Sequence, residues 1–179
     1  MSIDEFWSLV GSGDKDTIIR ALSRLSQQDI IDFEFLLRER IIECDYYDLI
    51  AALKIICGGV SDDSYLYFRC WLIGKGRRIF ESALRQADSI SDALGDTEMP
   101  DFEALLYVAT EAYEMKTGKK EDSTFPRAVC LARGLDYDCY APPTKGTDFR
   151  DEELPTRCPR LWKRWGPRRS CIPAPARQR

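Results

Sequence analysis

Apolar side chains recur at intervals of three and four along the first two thirds of the chain, the period of helices that bury one face. Ile3, Phe6, Trp7 and Val10 predict a short amphipathic helix stopped by the segment Gly11 to Gly13, and Ile18, Ile19, Leu22 and Leu25 predict a second ending near Ser26. Ser26 followed by Asp29 is a helix-opening pair, since a hydroxyl and a carboxylate can both take up amide hydrogens left free in a first turn. The long helix it opens carries Ile30, Phe33, Leu37, Ile41 and Cys44 on one stripe, and Phe35, Leu36 and Ile42 widen that stripe to more than one side. Glu34 and Arg38, four apart, are expected on its wet face with Glu39, Arg40 and Glu43.

Asp45 is expected to cap a following helix whose stripe is Leu49, Leu53, Ile56 and Cys57 and whose stop is Gly58. Ser61, Asp62 and Asp63 open another, in which Tyr65, Tyr67, Phe68, Trp71 and Leu72 leave little wet face. Gly74 to Gly76 interrupts it and helical character resumes over 77–85. The acidic span 88–101 reads as a loop with one short helix around 89–94, and Asp101 as the cap of a helix carrying Phe102, Leu105, Ala109 and Tyr113 to its stop at Gly118. After residue 119 the period weakens and eight of the nine prolines occur. Leu161, Trp162 and Trp165 can still dock a short helix on the body. The fold expected is all-α, a compact multi-helix single domain with an irregular basic C-terminal extension: an acidic helical core over 1–118, a partly docked extension over 119–165, and a disordered basic tail over 166–179.

Charge sharpens that division. Residues 119–179 hold 14 Lys or Arg against 8 Asp or Glu, whereas the whole chain has a formal net charge of -4. A basic extension of this kind meets either an anionic partner or its own acidic body. No apolar stretch approaches a membrane span. The seven cysteines form no Cys-x-x-Cys pair, which suits a reducing compartment and free thiols, so a cytoplasmic location is expected.

Histidine is absent, which removes imidazole acid-base chemistry, imidazole ligation and histidine-activated nucleophiles. Neither a Walker-type loop nor a full dinucleotide fingerprint occurs. The densest polar constellation runs from Gly58 to Gly76, where Asp62 and Arg69 are two helical turns apart. Its structural reading makes Ser61 and Asp62 caps and lets Arg69 bridge to Asp62 or Glu111. Its functional reading gives Arg69 an anionic group to hold through its planar donor fork, lined by Tyr65, Tyr67, Trp71 and Tyr113. Any catalysis would fall to Asp62, Asp63 and Glu111. No metal and no cofactor are expected. Trp162, Lys163, Arg164, Trp165, Arg168 and Arg169 interleave rings with positive charge and could stack bases while touching phosphates, although clipping onto the acidic body is the simpler role.

Several separated motifs occur in order: Phe6-Trp7; Gly58-Gly59-Val60-Ser61-Asp62-Asp63; Phe68-Arg69-x-Trp71-Leu72-Ile73 with Gly76; and Val108-Ala109-x-Glu111-Ala112-Tyr113-x-x-Lys116-Thr117-Gly118. In this the chain resembles a bacterial family known as domain of unknown function forty-two forty, over roughly residues 1–118. Leu154-Pro155-x-Arg157-x-Pro159-Arg160-Leu161-Trp162 resembles the closing segment of many members, whereas Phe125 to Thr147 and the extension after Trp165 depart from the simplest ones. The resemblance implies a small, predominantly helical cytosolic protein and carries no catalytic residues with it. The function expected is a non-enzymatic binding or regulatory module recognising a protein or a small anionic ligand. The alternatives are a histidine-independent hydrolase or transferase with a carboxylate and arginine site, and weak nucleic-acid binding through the basic aromatic extension.

Overall fold

The chain opens its helices with short polar side chains and closes several of them with glycine. The computed structural model describes residues 1–11, 13–120, 125–138 and 141–166. Helix α1 (Ile3–Val10) starts at Ser2, whose hydroxyl accepts the Glu5 amide while the Glu5 carboxylate accepts the Ser2 amide. Asp14 caps α2 (Lys15–Leu22). The Ser26 and Asp29 pair opens α3 (Gln27–Glu43), and Ser61 with Ser64 opens α5 (Asp62–Gly74) in the same reciprocal way. Helix α4 (Tyr47–Cys57) and helix α7 (Val108–Thr117) each stop where a glycine turns left-handed, at Gly58 with φ 76° and Gly118 with φ 69°. Helix α6 (Arg77–Arg85) runs into a 3₁₀ turn over Ala87–Asp92. Three short helices follow α7: α8 (Pro126–Ala132), α9 (Leu154–Arg157) and α10 (Pro159–Trp165). Among the described residues there is no strand, and the single extended pairing is a parallel bridge between Tyr46 and Lys145. The architecture is therefore all-α.

Helix α3 runs through the middle, with Ile30, Phe33, Leu37 and Ile41 no more than 1% exposed. Helices α1, α5, α7 and α8 pack against it, α2 lies on α7, and α4 carries α9 and α10. One apolar cluster runs from Phe6 to Trp165 and takes in Phe125, Leu154 and Leu161 from beyond residue 118. Burying a side chain of Phe33's size contributes about 3 kcal/mol or more.

Three expectations are corrected. Asp45 is not a cap: Tyr46 occupies that position in an extended conformation, because the chain around Lys145 pairs with it. The helix expected from residue 102 begins as a 3₁₀ turn over Glu103–Tyr107, since the Phe102 amide donates to Tyr67 O and its ring lies so close to Gly74 that a Cβ there would sit 2.8 Å from Phe102 Cδ1. Glu34 and Arg38 do not lie on a wet face. They are 2% and 4% exposed, joined at 2.7 Å, and covered by the chain beyond α8, where Leu135 O accepts from Arg38 Nη1 at 2.9 Å. Charge period alone cannot reveal a second layer laid over a helix.

Candidate functional site

The first turn of α5 faces the junction between α3 and α4, and the chain over Tyr137–Asp138 and Thr144 closes the far side. The space between is a cleft of about 300 Å³. Four of the residues singled out in the sequence meet here: Asp62, Asp63, Tyr65 and Arg69. Asp62 and Asp63 are exposed at the mouth, near the positive end of α5, while Arg69, two turns deeper, forms the back.

Arg69 is largely enclosed, its side chain 7% exposed. Its Nη1 donates to Ile41 O at 3.3 Å and lies 4.0 Å from Asp45 Oδ2, and the guanidinium stacks 4.7 Å from the centre of the Tyr65 ring. Neither Asp62 nor Glu111 is its partner; Glu111 pairs with Lys15 at 2.6 Å on another face. Two buried polar atoms in this corner have no hydrogen-bond partner, Nε of Arg69 and Oδ1 of Asp45. One is a donor and the other an acceptor, and a buried polar group without a partner costs about 1–3 kcal/mol. The Tyr65 hydroxyl is spent locally, accepting the Tyr46 amide at 3.0 Å and facing the carbonyls of Cys44 and Tyr46. Burial pushes that phenol well above the ordinary tyrosine range, so it stays protonated.

The lining holds four carboxylates, from Asp45, Asp62, Asp63 and Asp138, against one guanidinium. Among the described residues no group of three or more Asp, Glu or Cys side chains is placed to hold a metal ion. Four of the described thiols are kept from acting as nucleophiles by burial. Burial pushes Cys44, Cys130 and Cys158 up to about 12 and Cys70 further still.

The other singled-out residues lie elsewhere. Trp71 donates its indole N–H to Glu98 at 2.8 Å and carries the Lys75 ammonium over its ring at 5.0 Å. Tyr67 is on the α5 face towards Glu103, and Tyr113 is buried edge-on against Phe125 with centroids 5.2 Å apart. In α10, Trp165 is buried, Trp162 is half-buried on the core, and Lys163 is exposed. Arg164 pairs with Asp96 and donates to Ser91 O, while Arg160 pairs with Asp92. Arg168 and Arg169 lie outside the described residues.

Sequence reasoning missed half of the cleft. Asp45 was masked by its likeness to a cap, and Tyr137, Asp138 and Thr144 by the lack of any period around them. Asp88 was missed as well. Its carboxylate, 1% exposed, accepts the amides of Arg160 at 3.0 Å and Leu161 at 2.8 Å, taking up the free N–H groups that open α10.

No curated protein and no solved structure matches the chain. Residues 1–115 match the family model described as protein of unknown function (DUF4240), a span that takes in α1 to most of α7 and includes Asp45, Asp62, Asp63, Tyr65 and Arg69. On that match over more than half its length, the chain belongs to this family.

Proposed function

We propose that the protein is a non-catalytic binding module that seats a basic side chain of a partner protein in the cleft at the start of α5. The observation that carries the reading is the charge of the lining. A small anion, the ligand that Arg69 suggested in the sequence, would have to approach past the exposed carboxylates of Asp62, Asp63 and Asp138 to reach a guanidinium already engaged with Ile41 O and beside Asp45. A lysine or arginine side chain gains from the same carboxylates. Burial pushes the Cys44 thiol and the Tyr65 phenol of this corner up, which keeps both protonated and supports binding over covalent chemistry at these two groups.

Exposed charge pairs are worth roughly 0.2–1 kcal/mol each, so the exposed carboxylates together supply at most about 3 kcal/mol and one basic residue is expected to bind at about ten millimolar or more weakly. The test is a calorimetric or NMR titration with N-acetyl-arginine methylamide, N-acetyl-lysine methylamide and N-acetyl-glutamate methylamide. The two cationic probes are expected to bind and the anionic one not to. Asp62→Asn with Asp63→Asn should weaken the cationic probes about tenfold. Equal or stronger binding of the glutamate probe would overturn the assignment.

A further inference from the structure

The cleft is assembled from two parts of the chain. Asp45, Asp62, Asp63, Tyr65 and Arg69 belong to the span that the family model matches, whereas Tyr137, Asp138 and Thr144 lie beyond its end at residue 115. The later part is fastened to the earlier at several points. Arg38 Nη1 donates to Leu135 O at 2.9 Å, and Lys145 Nζ donates to Ile42 O at 2.8 Å and Glu43 O at 2.6 Å, taking up carbonyls at the end of α3. Lys145 N donates to Asp45 O and Tyr47 N to Lys145 O, both at 3.0 Å, and Thr144 Oγ1 reaches Asp45 Oδ2 at 3.3 Å.

This fastening changes the charge that a ligand meets. Arg38 carries a second guanidinium next to the cleft, lining a neighbouring depression that shares Tyr137 and Asp138 with it. Glu34 answers that cation at 2.7 Å, and the Leu135 carbonyl and the Tyr137 ring, 4.7 Å from the guanidinium carbon, cover the pair and leave Arg38 4% exposed. Asp138, on the next residue, stands at the wall of the cleft and adds a carboxylate. One short stretch thus covers a balanced ion pair and supplies the cleft with a further carboxylate.

We propose that residues 135–138 are the specificity-determining wall of the site, with Tyr137 closing the cleft over the Glu34 and Arg38 pair and Asp138 completing the carboxylate set, so that this stretch, lying beyond the family match, strengthens the preference of the cleft for a cation. The inference rests on the binding reading above.

The test compares the N-acetyl-arginine methylamide and N-acetyl-glutamate methylamide probes on the full chain, on Asp138→Asn, and on Tyr137→Ala with Asp138→Asn, with circular dichroism as a check of folding. Asp138→Asn is exposed and conservative, and it is expected to weaken the arginine probe about threefold, in keeping with one exposed charge pair. The double variant should weaken the arginine probe at least as far, because Tyr137 closes the same wall, and the glutamate probe should bind none of the three. If the arginine probe binds the unaltered chain and both variants equally, while Asp62→Asn with Asp63→Asn weakens it, the wall has no such role and the binding reading stands. If the unaltered chain binds neither probe, both proposals fall.

Discussion

Arg69 places a guanidinium where it is costly, enclosed on most sides and with one of its N–H groups unmatched. Its neighbour Asp45 is 13% exposed, so each charge is tolerable only because the other is there. Arg69→Met should therefore destabilise the protein by about 2–3 kcal/mol, and adding Asp45→Asn should restore much of the loss, because the carboxylate no longer lacks a counter-charge. Urea unfolding of the single and double variants checks this, and strict additivity would show that the two groups are independent. Glu98 offers a second residue-scale test. Burial pulls its carboxyl upward, but the Lys75 ammonium, the Trp71 indole N–H and the Gly95 amide outweigh burial and hold it below the ordinary glutamate range. A folded-state value below the unfolded one stabilises the fold above the unfolded value, and that contribution is lost as pH falls through the folded one. Glu98→Gln should thus destabilise the fold near neutral pH and bring it closer to the unaltered chain as the solution is acidified below about pH 4. Melting temperatures across pH would show it, and a constant difference down to strong acid would contradict it.

At the scale of elements, the apolar period and the helix-opening residues were legible because both are local. Ser26 and Ser61 start α3 and α5, and Gly58 and Gly118 end α4 and α7, as spacing and side-chain chemistry require. Replacing Gly58 with Ala forces a Cβ into the left-handed region and should cost about 1 kcal/mol, measurable as a lower urea midpoint. What depends on partners distant in sequence was not legible. The Glu34 and Arg38 pair has the spacing of a solvated helix pair, yet the chain around Leu135 and Tyr137, nearly a hundred residues later, covers its Arg38 end. Asp88 looked like one of several loop acids, yet it takes up the opening amides of α10. Asp88→Ala removes two hydrogen bonds to a charged acceptor, each worth about 1.5–3 kcal/mol. Undocking of α10 should follow, together with faster alkylation of Cys158, which lies at the helix start and is fully buried. Unaltered Cys158 protection, read by peptide mass mapping, would show that the apolar contacts of Leu161 and Trp165 suffice.

Across the whole molecule, the division between an acidic body and a basic extension becomes a set of contacts. Arg157 meets Asp48, Arg160 meets Asp92 and Arg164 meets Asp96, so much of the described basic extension is answered within the chain. The carboxylates of the cleft are different. Asp62 and Asp63 face outward at a helix start, Asp138 joins them from the far wall, and Arg69 at the back is occupied elsewhere. Sequence spacing brought Asp62, Asp63, Tyr65 and Arg69 into view because they share one helix. It could not supply Asp45, Asp138 or Thr144, whose approach depends on how distant segments fold together, nor show that the lining holds four carboxylates against one guanidinium. The most direct measurement is an amide chemical-shift titration of the labelled chain with N-acetyl-arginine methylamide. The account predicts saturable shifts confined to the first two turns of α5, to Asp45 and to Tyr137 and Asp138. Shifts absent from that set, or concentrated instead around Asp16 and Glu111 on the opposite depression, would contradict it.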